Sequence, residues 1–238
     1  MSRPVGLPAP SGSATVPSRE SLHGRYTSLV PLEVSHAKPL WEHLGGGEKA
    51  DIWTYMFPEP FLEYDEFEES VKQWVASKDP LHFTVLSAPA SDATAEPVGF
   101  VTLMNMVPDH RRVEIGCVTF GKKLQRTRQA TETFYLLMKH AFDSLGYLRV
   151  EWKANNLNKP SLAAAQRLGF TFEGVFRKHM ILKGRHRDTA WFSIVDDDEW
   201  PLARDGLEAW LDEKNFDEQG QQRCGLKQLR EGLEVKRA

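Results

Sequence analysis

The stretch KKLQRTRQATE, residues 122–132, gathers basic side chains where a helical pattern is about to begin. Lys122, Lys123, Arg126 and Arg128 are four of its first seven residues, and no Asp or Glu falls between Glu114 and Glu132. The first N–H groups of a helix lack intrahelical partners, and its aligned peptide dipoles add roughly half a positive charge there. Further cations at that end cost stability unless an anion fills the site. A strand, a tight loop and a helix start suit a phosphate or similar group. The alternative is a solvated surface, where exposed charges cost only a few tenths of a kcal/mol each.

Glu114 is a second candidate. It is the only acid in the apolar run VEIGCVTF, where desolvation would raise its pKa toward working pH and suit it to act as a base. Pairing with Arg111, Arg112 or a neighbouring strand is the structural alternative. GCVTFGKK (116–123) matches the phosphate-loop pattern G-x-x-x-x-G-K-[ST] except at its last position, and FSIVD (192–196) resembles the acidic strand end of such enzymes. Lys123 replaces the metal-binding hydroxyl, CVTF is strand-like, and the helix starts several residues late, so nucleotide hydrolysis is the weaker reading. His36/His43 and His179/His186 are each seven apart without a carboxylate at ligand spacing, so no metal site is expected. There is no G-x-S-x-G elbow and no cysteine-nucleophile context.

These residues must be held by ordered elements. RYTSLVPLEV (25–34) reads as a first strand and SHAKPLWEHLGGG as a short helix capped by Ser35. A second helical region follows in DIWTYMFPEPFLEYDEFEESVKQWVASKD, with Phe67, Val71, Trp74 and Val75 on one face. LHFTVLS is a strand. VGFVTLMNM and VEIGCVTF form a mid-sheet hairpin, apolar at most positions of both parities. Between Arg128 and Leu145 the apolar residues Phe134, Leu137, Met138, Ala141, Phe142 and Leu145 mark a helical stripe of about five turns, stopped by Gly146. YLRVEWKA is a strand, and NKPSLAAAQRLG a helix with Asn158 as N-cap and Gly169 as stop. FTFEGVFRKHMILKG and DTAWFSIVD close the regular part as strands, giving an α/β (α+β) sheet domain.

The 238 residues, 41% hydrophobic and 26% charged, fit one large soluble domain with appendages. A net charge of −3 argues against a nucleic-acid or membrane partner. Two unpaired-looking cysteines, Cys117 and Cys224, suit a reducing, cytoplasmic setting. Residues 1–22, rich in Pro, Ser and Gly and lacking an apolar signal core, read as a disordered tail, with a transit peptide the lesser alternative. Residues 23–200 form the domain, and 201–238 a polar helical extension.

From Val98 to Trp200 the chain resembles a GNAT-family acyltransferase of the branch of ribosomal-protein N-terminal acetylases, RimJ and RimL. The matching pieces are EIG (114–116), QRTRQATE (125–132), NKPS (158–161), RLGFTFEG (167–174) and RDTAWFSIVDDDEW (187–200). The resemblance implies a mixed, mostly antiparallel V-shaped sheet flanked by helices. It also implies acetyl-CoA as cosubstrate and direct attack by a primary amine of a small molecule or peptide N-terminus. The pyrophosphate would lie on the amides of Gln125, Arg126, Thr127, Arg128, Gln129, Ala130 and Thr131, with Arg128 standing where the family's first glycine does. The pantetheine arm would run along Val118, Thr119 and Phe120, with Asn158 at the mouth of the next helix. Glu114 would be the base. Ala165 occupies the family's tyrosine position, so Ser161 is the candidate near the thiol and His179 a weaker one. Trp53, Tyr55 and Phe57 would shape the acceptor pocket. A catalytically silent acyl-CoA-binding module is the alternative, and a monomer or homodimer is expected.

Overall fold

The computed structural model describes residue 3 and residues 5–237; residues 1, 2, 4 and 238, parts of the expected tail and extension, lie outside that set. The β-branched and aromatic runs become β1 (Leu22–His23), β2 (Ser28–Pro31), β3 (Leu81–Leu86), β4 (Pro97–Val107), β5 (Arg112–Phe120), β6 (Arg149–Asn155), β7 (Thr171–Leu182) and β8 (Arg185–Val195). They form one eight-stranded sheet in the order β1-β2-β3-β4-β5-β6-β8-β7. All neighbours are antiparallel except β5 and β6, which run parallel.

That parallel pair is short. It joins Arg112, Val113 and Glu114 to Arg149, Val150 and Glu151, and no pairing follows. Beyond Glu114 the strands part and the sheet opens into a V. A bulge accompanies the opening: the β4–β5 register shifts between Phe100 and Thr102, and Cys117 takes a left-handed φ of 47°. An extra residue bends the bulged strand and strengthens its twist.

Helices cover both faces of the sheet, as its largely apolar central strands require. α1 (Ala37–Leu44) and α2 (Tyr64–Ala76) bury Leu40, Leu44, Phe67 and Val71 with Trp53 and Phe100 in one core. α3 (Arg128–Lys139), α4 (Lys159–Leu168), α5 (Glu199–Leu211) and α6 (Leu226–Arg237) contribute to a larger core. Thr127 caps α3 by accepting from the Ala130 N–H, and Phe134, Leu137 and Met138 form its buried stripe. The expected five turns are met by α3 plus a wider π turn over His140–Ser144. Glu132, buried on α3, accepts from the backbone N–H groups of Arg25, Tyr26 and Thr27 at 2.6–2.9 Å, tying the β1–β2 turn to the helix.

Some elements differ from the sequence expectation. Ser35 does not cap α1; residues Val34–His36 form a 3-10 turn and the Ser35 hydroxyl donates to Glu33. Residues 11–20, expected to be disordered, lie along the domain. The Ala14 N–H donates to the Pro108 carbonyl, the Thr15 N–H to that of Leu145, and Arg111 donates to the carbonyls of Ser11 and Gly12. These contacts satisfy backbone groups that composition cannot forecast. The segment after Asp198 is no mere appendage either. α5 buries Trp200, Ala203, Leu207, Trp210 and Leu211 in the larger core, their spacing of three and four residues setting them on one side of the helix.

Candidate functional site

The parting of β5 and β6 leaves a cavity of about 1220 Å³, closed at one end by the start of α3. All seven residues from Gln125 to Thr131 line it. The loop before α3 turns through Arg126, whose φ is 62°, and Thr127 is extended. Thr127 Oγ takes the Ala130 N–H, whereas those of Arg126, Thr127, Arg128 and Gln129 have no acceptor among the described residues. Four free donors at a helix start form an anion cradle.

The basic stretch divides its labour. Lys123 pairs with Glu96 and Lys122 is exposed, so neither lines the cavity. Arg126 lines it with an exposed side chain that bonds no protein group. Arg128, the residue in place of a glycine, lays its guanidinium over Phe216 at 4.3 Å and over Tyr26 at 5.0 Å. Its side chain is thereby packed on two rings while its N–H stays free. Arg167 of α4 also lines the cavity, donating to Thr131 Oγ at 3.1 Å and lying 4.7 Å over the Trp210 ring.

Along the arms of the V, Val118 and Phe120 of β5 line the cavity, as do Asn158 and Ser161 of α4. Thr119 does not: its side chain is fully buried and donates to the Cys117 carbonyl, because alternate residues of a strand face opposite ways. Asn158 Oδ1 accepts from the Ser161 N–H and so caps α4. Ser161 Oγ accepts from the Trp152 indole N–H at 3.0 Å. Indole can only donate, so the serine proton remains available to a ligand. Ala165 is buried in the core. Cys117 borders the cavity, but burial pushes its thiol pKa up and leaves it a poor nucleophile.

Glu114 lies at the apex of the V and is 5% exposed. Its Oε2 accepts from Asn105 Nδ2 and from Lys153 Nζ, each at 2.7 Å, leaving Oε1 without a protein partner. The cation beside it is therefore Lys153 on β6, not Arg111 or Arg112. Lys153 also pairs with Glu151 at 2.8 Å and lies 4.2 Å over the Trp191 ring. Burial opposes ionisation of Glu151, but hydrogen bonds from Lys153 and Arg149 outweigh it and hold that carboxyl below its ordinary pKa.

Tyr55 and Phe57 line the cavity, as do His179, Met180 and Arg187 from the β7–β8 hairpin. Trp53 does not. Its indole is 1% exposed, donates to the Leu44 carbonyl and packs edge-on against Phe61, so it belongs to the core. The phosphate-loop reading is also overturned: GCVTF is strand β5, which offers no curled loop, and Lys122 stands outside the cavity. Among the described residues no three His, Cys, Asp or Glu side chains gather as a metal site.

Sequence reasoning missed Lys153, Arg167, Arg187, Trp210 and Phe216. Lys153 had a signal, since it is a charged residue in the apolar strand run RVEWKA. Arg187 was hidden in the polar run GRHRD, and the last two in a segment read as an appendage.

The chain matches the acetyltransferase (GNAT) domain over residues 27–171. It is 30% identical over 97 residues to YdaF of Bacillus subtilis, whose name assigns it to ribosomal N-acetyltransferases. That match covers 41% of this chain and about half, 52%, of the relative. The N-acetyltransferase p20 of Bacillus licheniformis is 25% identical over 179 residues, 74% of this chain and 96% of p20. The crystal structure of a GCN5-related N-acetyltransferase from Brucella melitensis superposes with a TM-score of 0.87 at 39% identity, covering 92% of this chain and 97% of that one.

Proposed function

The chain belongs to the GNAT family of acetyltransferases, and on that premise we propose that it transfers acetyl from acetyl-CoA to a primary amine in a ternary complex. The observation that carries the reading is the forked sheet meeting four unbonded N–H groups at the start of α3. A cofactor with a diphosphate at one end and a thioester on a long arm fits that shape: phosphates at Arg126–Gln129, arm between β5 and β6.

The other residues then take consistent roles. Acetyl-CoA supplies the activated acetyl group. The acceptor ammonium gives one proton to Glu114 Oε1, directly or through water, and the freed nitrogen bonds to the acetyl carbon; as the carbon–sulfur bond breaks, the nitrogen's next proton passes to the departing sulfur, leaving amide and free thiol. The Ser161 hydroxyl donates a hydrogen bond to the departing thiolate. Lys153 keeps the other carboxylate oxygen fixed and compensates its buried charge.

Isothermal titration with acetyl-CoA, joined to thiol release over an amine panel, tests this. Binding with amine-dependent release, and loss of release in Glu114→Gln, is the expected result. Ala165 in the tyrosine position favours one competing reading, a binding module without turnover. Tight binding with no release beyond hydrolysis would select it, and absence of binding at millimolar acetyl-CoA would sink both.

A further inference from the structure

Near Glu114 the cavity holds a buried cation that has no ion pair among the described residues. Arg187 of β8 lines the cavity and is 7% exposed. Its Nε is buried without a hydrogen-bond partner. Among the described residues its guanidinium has no ion pair; its near neighbour is the Phe57 ring, 5.4 Å away. Burial lowers its pKa, and the charge of Glu114 pulls it back up.

Several other cations of the fold are provided for: Lys153 has two carboxylates, Arg149 has Glu151 and Glu173, and Arg111 has three backbone carbonyls. A buried charge without a partner is strongly disfavoured, so this one is suited to an anion that arrives with a ligand. The cofactor phosphates have their own donors at α3. Arg187 instead lies by the Phe57 ring and feels the charge of Glu114, and all three line the cavity.

Resting on the acetyl-transfer reading, we propose that the acceptor is an amine bearing a carboxylate, whose ammonium meets Glu114 and whose carboxylate meets Arg187. The two side chains present opposite charges in one cavity, matching a zwitterion. A planar guanidinium holds two carboxylate oxygens side by side, which an ammonium cannot do. Arg187 and Lys153 together disfavour a polyamine. The carboxylate is the α-carboxylate of a free amino acid or an acidic side chain near a peptide's amino end, and both present the same group to Arg187.

The test compares free amino acids, their carboxamides, and dipeptides beginning with Asp or Asn as acceptors for wild type, Arg187→Gln and Arg187→Lys. Thiol release and acetyl-CoA affinity are read for each. A carboxylate acceptor should exceed its amide by about tenfold or more in kcat/KM. Arg187→Gln should erase that preference by lowering kcat/KM for the carboxylate acceptor about tenfold more than for its amide, with acetyl-CoA affinity retained, and Arg187→Lys should restore part of the preference. Which pair shows the preference, amino acid over carboxamide or Asp over Asn dipeptide, identifies the source. Equal use of acid and amide by wild type, or equal loss of both in Arg187→Gln, overturns the proposal. If acetyl-CoA does not bind at all, the acetyl-transfer reading fails instead. Should Arg187→Gln not fold, propionate supplies a second measurement on the wild type. It should inhibit competitively with the amine and not with acetyl-CoA, and no inhibition counts against the site.

Discussion

Replacing Arg126 by glycine should make the protein more stable and its cofactor binding weaker. Arg126 is held at φ 62° with its side chain exposed and bonded to no protein group. A left-handed conformation costs a residue with a Cβ about 1–2 kcal/mol, and glycine escapes that cost. Glycine gives back about 0.5–1 kcal/mol through the greater freedom of its unfolded chain. The net is a stabilisation of about 0.5–1 kcal/mol, or a Tm higher by roughly 1–4 °C for a chain of this size. Against it stands the lost guanidinium. An exposed charge pair with a phosphate contributes about 0.5–1 kcal/mol, so the Kd for acetyl-CoA should rise about two- to fivefold. That rise should shrink as salt is added, since exposed charges are screened. Differential scanning calorimetry and isothermal titration at two ionic strengths measure both sides. A lower Tm would refute the strain argument; an unchanged Kd at low salt would refute the phosphate role of this side chain.

Three further outcomes are expected. Glu132→Ala should lower stability by about 4.5 kcal/mol in urea unfolding, because three backbone N–H groups lose a charged acceptor worth about 1.5 kcal/mol each; a loss under about 1 kcal/mol would mean water replaces it. His82, buried and stacked on Trp74, has its pKa pushed down to about 4 mainly by burial. The unfolded chain therefore binds the extra proton first. Stability should be full above about pH 6.5 and fall by about 3 kcal/mol as pH drops toward 4, a slope that His82→Phe should flatten. Ser161→Ala should cut kcat by about ten- to a hundredfold with acetyl-CoA affinity unchanged, whereas a matched change in both would assign Ser161 to binding.

What the sequence disclosed follows from where the information is local. The strand runs, the α3 stripe and the Asn158 and Gly169 signals depend on residues a few places apart, and each became the element it implied. The free N–H groups at the start of α3 were legible for the same reason, since loop and helix start are contiguous. Errors arose where a side chain's partner is distant. Trp53 and Phe57, four residues apart in one aromatic segment, look alike in sequence, yet one enters the core and the other the cavity. For Glu114 the sequence offered Arg111, Arg112 or a neighbouring strand; the neighbouring strand β6 supplies the partner, and only the sheet's register singles out Lys153. That the Arg128 guanidinium packs on Tyr26 and Phe216 was hidden for the same reason, since those rings lie about a hundred residues away on either side.

The walls of the cavity extend along the chain from Asp51 to Gln222. During synthesis, the helix start and the fork can form well before Phe216 and Gln222 have left the ribosome, but the enclosure cannot. Acetyl-CoA therefore has no finished pocket to join until nearly the whole domain has emerged, and cannot act as an early template for the nascent chain. Once bound, it draws its stabilisation from residues in almost every layer. Ligand occupancy should then protect the segments around Asp51 and Gln222, far apart in the chain, from proteolysis together, as a single unit.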